Sequence, residues 1–478
     1  MKANIIFIII DAVRARNVGA YGYDKPTTPN IDNIAQQGVL FRNAYSCINY
    51  TDSSMTSIFS GIYPAGHGIL HHGGSLRDEE VKDFNRSGIE LLPEILRSKG
   101  YSTIALDWMG RWHRRGYDYY SGIPDGKLLR LVNRVLKAIA PHKSLLSLRA
   151  GLILLRRRIL STTYAAKFTT ECAINLVEEN RNKPFFLFIH YWDVHQGYTV
   201  PKRHSRPFRG MNYSEIPHHT EKVGGLYSIS SKGLRSLGVK LLSRTKTVRE
   251  QTAEYDGAIT YVDGEIGRLM EGLKKHGIAD QTLVIITSDH GESLTEHGIY
   301  FDHHGLYEVS IHVPLIMRYP EVLSAGKAVE GFVQHIDLVP TILDLVGINR
   351  HAEDFDGESL MPLIHEGKEL RSAVYIEEAY AQRKRAIRTK KYEYIKAPSE
   401  EAAVCRLCNR IHGGVEELYD LESDPEQNHN LAQDKPETAK KLRNLLAEWM
   451  AYLEQKKARR DKAKVKGRIS KLKHSGKL

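Results

Sequence analysis

Cysteine is scarce in this chain. Four thiols in 478 residues (Cys47, Cys172, Cys405 and Cys408) cannot staple a molecule of this size, which excludes a disulfide-held scaffold and points to a reducing compartment. Long apolar runs are missing as well. Near the N-terminus, MKANIIFIIIDAVR offers Lys2 and a string of isoleucines but meets Asp11 after a few residues, with no small-residue cleavage site behind it. That is too short for a signal sequence and far too short to cross a bilayer. No other segment reads as a membrane span, so the expectation is a cytoplasmic protein. Internal repeats are also absent.

What is present reads as an ordinary globular protein, with 41% hydrophobic and 26% charged residues. The length suits one large domain and a smaller one. The net charge of +11 looks like a nucleic-acid signal until it is located. From Lys456 the sequence runs KKARRDKAKVKGRISKLKHSGKL, with eleven lysines and arginines against the single acid Asp461, so the rest of the chain is close to neutral. This 456–478 tail is expected to be a solvated, disordered extension. Contact with an anionic membrane surface or a polyanion is the sharper reading, making the protein peripheral to the membrane, and no specific nucleic acid is implied.

Short apolar runs alternate with helical patterns. Ile5–Ile10, Ser102–Leu106, Phe185–His190 and Thr282–Thr287 read as buried strands. Ile31–Gly38, Ser54–Phe59, Leu91–Ser98 and Ala253–Lys275 read as helices. The order implies an α/β fold with a mostly parallel sheet flanked by helices. Leu128–Ile139 pairs an apolar stripe with basic residues, inside a Leu- and Arg-rich helical insertion at about 124–165. It reads either as a helix packed on the sheet or as one resting on a membrane. Beyond residue 370 the texture changes to AVYIEE, RAIRT and KYEYIKA and then a helix from Pro436 to Lys456, predicting a smaller α+β subdomain over 371–455.

Open α/β sheets place ligands beyond the carboxyl ends of their strands. Asp11, His190–His195 and Asp289-His290 all follow apolar strands. Adjacent Asp and His in SDHGES can reach one divalent cation, with a third acid from another strand end. Such a set is compatible with zinc, manganese, iron or magnesium. His195, His297, His303 and His304 add imidazoles near the same elements. CRLCNRIH, at Cys405–His412, has a CxxC and a nearby His but no second pair to complete a zinc site, so it reads as a turn in the smaller subdomain, with a structural metal as the alternative.

Eight spaced motifs carry a resemblance across roughly Ala3–Leu431. They are NIIFIIIDAVRARNVGAYGY, TTPNIDNIAQQGVLFRNAYS, SSMTSIFSGIYPAGHGI, FFLFIHYWDVHQGY, TLVIITSDHGESLTEHGIYFDHHGLYEVSIHVPLIMRYP, HIDLVPTILDLVGI, DGESLMPLI and EELYDLESDPEQNHNLA. In this order they resemble the sulfatase-like branch of the alkaline phosphatase superfamily. The resemblance implies an alkaline-phosphatase-like sheet in a catalytic domain over 1–370. It implies one divalent metal ion (Zn, Mn, Ca or Mg) held by Asp11, Thr51, Asp289 and His290. It also implies that His195 and His303 contact the transferring group or the leaving oxygen. Asp193 and His195 are too close in sequence for a second catalytic metal of the alkaline phosphatase kind.

The departures are as informative. Thr51 falls on the nucleophile position, where sulfatases carry Cys-x-Pro-Ser-Arg and oxidise the Cys to formylglycine; here the stretch is Thr51-Asp52-Ser53-Ser54-Met55. No formylglycine is expected, and Cys47 lies too early to substitute. Ala12 replaces the second acid of the family's Asp-Asp pair. A threonine cannot expel its ester by collapsing to an aldehyde, so water must release it. That favours a phosphoester or phosphodiester over a sulfate ester. Ser54 then supports and Ser53 is the fallback nucleophile; the local alternative is that Thr51 merely caps a helix. The expected protein is a metal-dependent hydrolase of a small anionic ester. The alternatives are a transferase moving a phosphoryl-linked group from a lipid-like donor, and a catalytically silent binding protein.

Overall fold

β1 (Asn4–Ile10) is apolar from Ile5 onward and buried along its whole length, as a strand covered on both faces must be. In this computed structural model the described residues are 2–121, 135, 166–198, 200–223 and 246–474, with backbone alone at 352 and 461–474. The expected amphipathic segment Leu128–Ile139 and the insertion around it lie outside the described residues, save position 135.

Seven more strands join β1 in one sheet: β2 (Val39–Tyr45), β3 (Ser102–Leu106), β4 (Tyr119–Ser121), β5 (Phe185–Tyr191), β6 (Thr282–Thr287), β7 (Leu315–Arg318) and β8 (Lys327–Gln334). Their order is β4-β3-β5-β1-β6-β7-β2-β8. All run parallel except β7, which is antiparallel to both β6 and β2. The expected mostly parallel α/β sheet is therefore present.

The alternation of side chains along β1 divides the interior. Ile6, Ile8 and Ile10 face a core with Ala173 and Val177 of the helix Ala166–Asn180 and with Ile259, Val262, Ile266 and Leu269 of the helix Val248–Lys275. Ile5, Phe7 and Ile9 face the opposite core, with Met55, Ile58 and Phe59 of the helix Thr51–Ser60 and Ile95 and Leu96 of the helix Leu92–Ser98. The long helix begins at Val248 rather than Ala253, because Thr247 and Glu250 form a capping box.

A small antiparallel sheet follows, made of β9 (Ala373–Glu378), β10 (Lys384–Thr389), β11 (Tyr392–Lys396) and β12 (Glu416–Asp420), in the order β12-β11-β10-β9. It meets the large sheet where Glu377 N donates to Cys47 O at 2.9 Å. The helix Pro436–His474 lies against it, with Trp449 stacked on Tyr375 at 4.6 Å.

That helix corrects one expectation. The basic stretch from Lys456, expected to be disordered, continues as helix to His474. Its first turns hold a buried carboxylate: Lys456 Nζ lies 3.2 Å and Arg460 Nη1 3.0 Å from Asp356 Oδ1. A buried acid needs paired cations, and the helical spacing of four presents both to it.

Candidate active site

Because seven strands of the large sheet share a direction, the residues that follow them gather at one edge. Asp11 follows β1, Asp107 follows β3, Asp289 and His290 follow β6, and His335 follows β8. Ligand atoms of Asp11, Asp289 and His290 lie within 4.8 Å of one another, all fully buried. The sequence placed these three together, and the structure brings them together.

Thr51 comes six positions after the last residue of β2. Tyr50, extended at φ −139° and ψ 138°, is the N-cap of the helix Thr51–Ser60, and no side chain caps it. Thr51 is thus the first helical residue, not a cap, and its Oγ1 sits 3.3 Å from His290 Nε2. Gly61, in the left-handed region at φ 69°, ends the helix with its N–H on Ser57 O. Ser54 Oγ donates to the backbone oxygen of Asp289 at 2.6 Å and lies 3.2 Å from His335 Nδ1, which ties the helix to the metal-type loop. Ser53 Oγ donates to Ile69 O instead, so its hydroxyl is engaged away from the cluster.

Both carboxylate oxygens of Asp11 and Oδ2 of Asp289 are buried with no hydrogen-bond partner. Oxygens in that condition are costly unless something cationic meets them. Two hard oxygen donors and an imidazole nitrogen within one small space fit a divalent cation. Burial, and then the Asp289 carboxylate, push Asp11 up to about 7. Burial also acts on Asp289, but His290 and His190 overcome it and hold that carboxyl below the usual range.

His190, read from the sequence only as the start of the strand-end run His190–His195, and Asp107, not read from the sequence at all, lie behind Asp11. His190 Nε2 is 3.5 Å from Asp11 Oδ2, and Nδ1 is 2.9 Å from Asp107 Oδ1. Burial would lower this imidazole, yet the Asp107 and Asp11 carboxylates beside it raise it to about 10. The available signal was an Asp and a His at the ends of adjacent strands. Asp52 was missed too: it is fully buried and meets Arg111, His113 Nε2 at 3.3 Å, His72 Nδ1 at 3.1 Å and Gly73 N at 2.8 Å. Burial opposes its ionisation, but the His113 and His72 contacts hold it well below the usual carboxylate range.

His303 stacks on His290 with ring centres 4.1 Å apart, and His195 lies 5.9 Å from His303. Trp192 stacks under His195 at 4.3 Å. Burial lowers both imidazoles, His303 to about 4 and His195 well below its usual value, so each is neutral with one N–H to donate. Two neighbours depart from the expected cluster. His297, at φ 56°, turns to stack on Tyr307 at 3.7 Å, and His304 faces Cys405, Cys408 and His412. Ala12 adopts φ 60°, an unusual conformation for a residue with a Cβ, and its N–H donates to Asp289 Oδ1 at 3.3 Å.

Among the described residues no helix is long and apolar enough to cross a membrane. A profile described as Sulfatase matches residues 3–348, and one described as N-sulphoglucosamine sulphohydrolase, C-terminal, matches residues 295–456. The chain is 25% identical over 518 aligned residues to an N-acetylglucosamine-6-O-sulfatase of Bacteroides thetaiotaomicron, covering 93% of this chain and 85% of that one. It is similar, with TM-score 0.69 and 22% identity, to a structure described as bound to its substrate D-glucosamine-2-N,6-O-disulfate, covering 95% and 99% of the two chains. It is also similar, with TM-score 0.64 and 19% identity, to the phosphonate monoester hydrolase of Agrobacterium radiobacter, covering 96% of each. At these identities the two structures speak for the fold.

Proposed function

Because the chain belongs to the sulfatase family, and is an ester hydrolase, we propose that it cleaves a small anionic ester with Thr51 as nucleophile and that phosphoesters or phosphodiesters are its preferred substrates. The observation that carries this reading is the Thr51 hydroxyl, 3.3 Å from His290 Nε2, at the place where the family frame calls for a different nucleophile. The relatives are hydrolases, and nothing favours the transferase alternative.

Asp11, Asp289 and His290 would hold a divalent cation, with Thr51 beside them. When bound, such a cation supplies Lewis-acid stabilisation of the transferring group and lowers the pKa of a neighbouring hydroxyl. The rest falls to the chain itself. The helix Thr51–Ser60 begins at Thr51, so the positive end of its dipole lies beside the attacking hydroxyl and favours an incoming anion. Thr51 Oγ1, its proton passed to solvent water, bonds to the central atom as the bond to the ester oxygen opposite it breaks, and that oxygen takes a proton from solvent to leave as the alcohol. His195 and His303 donate their N–H groups to the equatorial and leaving oxygens. Asp52, locked by Arg111 and His113, fixes the first turn so that Thr51 keeps its aim. Water then cleaves the threonine ester.

Sulfate esters are the second reading, favoured by the descriptions of the relatives. Turnover of aryl sulfate, aryl phosphate and bis-aryl phosphate esters, measured side by side on metal-analysed protein, separates the two. The expected result is faster phosphate or diester turnover, abolished by at least about 10³-fold in Thr51→Ala with metal content retained. Preference for aryl sulfate would return the substrate to a sulfate ester. Unchanged activity in Thr51→Ala would sink the nucleophile.

A further inference from the structure

CRLCNRIH lacks a partner pair along the sequence but meets a partner in space. His304, which follows the site histidine His303, points at the same group as Cys405, Cys408 and His412. One ligand-type atom from each of the four lies within 4.8 Å of the others. A tetrahedral zinc with Zn–S near 2.3 Å and Zn–N near 2.0 Å sets its ligand atoms about 3.3–3.8 Å apart, so these four need only small side-chain adjustments to close on one ion.

The surroundings prepare both imidazoles for that role. His412 Nδ1 lies 3.1 Å from the backbone oxygen of His297, which accepts the Nδ1–H, so the Nε2 lone pair faces Cys408 Sγ at 3.0 Å. His304 Nδ1 faces Asp302 Oδ1 at 3.5 Å, while neither ring nitrogen of this buried residue completes a hydrogen bond. A carboxylate and a carbonyl behind ligating histidines are the usual outer partners of a zinc site. Cys405 is fully buried, and all four thiols of the chain are free. The CxxC turn is itself shaped: Asn409 N donates to Cys405 O at 2.7 Å, with Asn409 at φ 59°.

We propose that His304, Cys405, Cys408 and His412 bind a structural zinc ion, separate from the cation at Asp11, that fastens the loop between β11 and β12 to the segment carrying His303. Two thiolates and two imidazoles select zinc over the hard cations that suit a carboxylate cluster. Four protein ligands leave no open position, so this ion holds structure rather than substrate. Its effect on the reaction is positional: His303, adjacent to one ligand, keeps its stack on His290.

The test uses the full chain, purified without chelator, with metal content measured and the zinc exchanged for cobalt. The expected result is a thiolate-to-cobalt charge-transfer absorption in the near ultraviolet with intense visible bands of tetrahedral cobalt. Both persist in Asp289→Asn and vanish in the double variant Cys405→Ser/Cys408→Ser, which also binds one zinc ion fewer than the wild type. The wild-type spectrum needs no variant, so poor folding of the double variant does not hide the answer. Absence of the charge-transfer absorption in cobalt-loaded wild type overturns the proposal. So does equal zinc in the two proteins, or a Cys405–Cys408 disulfide in protein purified under reducing conditions.

Discussion

Asp289 does two jobs with one carboxylate, accepting the Ala12 N–H through Oδ1 and leaving Oδ2 bare beside Asp11. Asp289→Asn keeps an acceptor for Ala12 and removes the charge, so it should lower bound metal and turnover together without unfolding the loop. Turnover that survives in metal-free protein defeats the metal reading. Glu296 behaves differently. Burial pushes its carboxyl up, but Arg14, 2.7 Å away and equally buried, pulls it down to about 2. A folded pKa below the ordinary 4.5 contributes stability that is present above about 4.5 and lost as pH falls toward 2. Glu296→Gln should therefore cost about 3 kcal/mol at pH 7 and flatten the acid limb of stability between those values. Denaturant titrations across that range read both effects, and a variant as stable as wild type at pH 7 refutes the pairing argument.

At the scale of elements, the loop after β6 is held by close backbone approach. A Cβ at Gly291 would meet Val309 O at 2.1 Å. Gly291→Ala should lower stability by about 1–3 kcal/mol. It should reduce turnover further than the loss of folded protein explains, because Asp289 and His290 shift with the loop. Thermal melts beside kcat measure the two separately; a variant with normal kcat shows that the loop tolerates the shift. Apolar strands and amphipathic helices of this layer were legible because burial on both faces leaves a continuous apolar run. Thr247-x-x-Glu250 carried a start signal five residues upstream of the apolar pattern, and the antiparallel direction of β7 left no mark in LIMR.

In the whole molecule, the helix Pro436–His474 joins the small sheet to the large one through Asp356, a buried carboxylate that also accepts the Tyr63 N–H at 2.9 Å. Replacing Lys456 and Arg460 together by Ala strands that charge and should destabilise the chain by about 3 kcal/mol, relieved by adding Asp356→Asn. A double variant as stable as wild type would show that the basic helix is not anchored there.

What the sequence determined by itself is the local chemistry: apolar runs long enough only for buried strands, acids and imidazoles just past them, and a hydroxyl-rich stretch at Thr51–Ser57. Parallel strands then had to deliver Asp11 and Asp289 to one edge, because the direction of each strand sets where its end lies. Which histidine serves which partner was decided only by the tertiary structure. His297, His303 and His304 are neighbours in the chain, yet one stacks on Tyr307, one on His290, and one meets a thiol pair a hundred residues away. Backbone turns aim each ring, and the subdomain that supplies Cys405 and Cys408 docks through contacts no local pattern encodes.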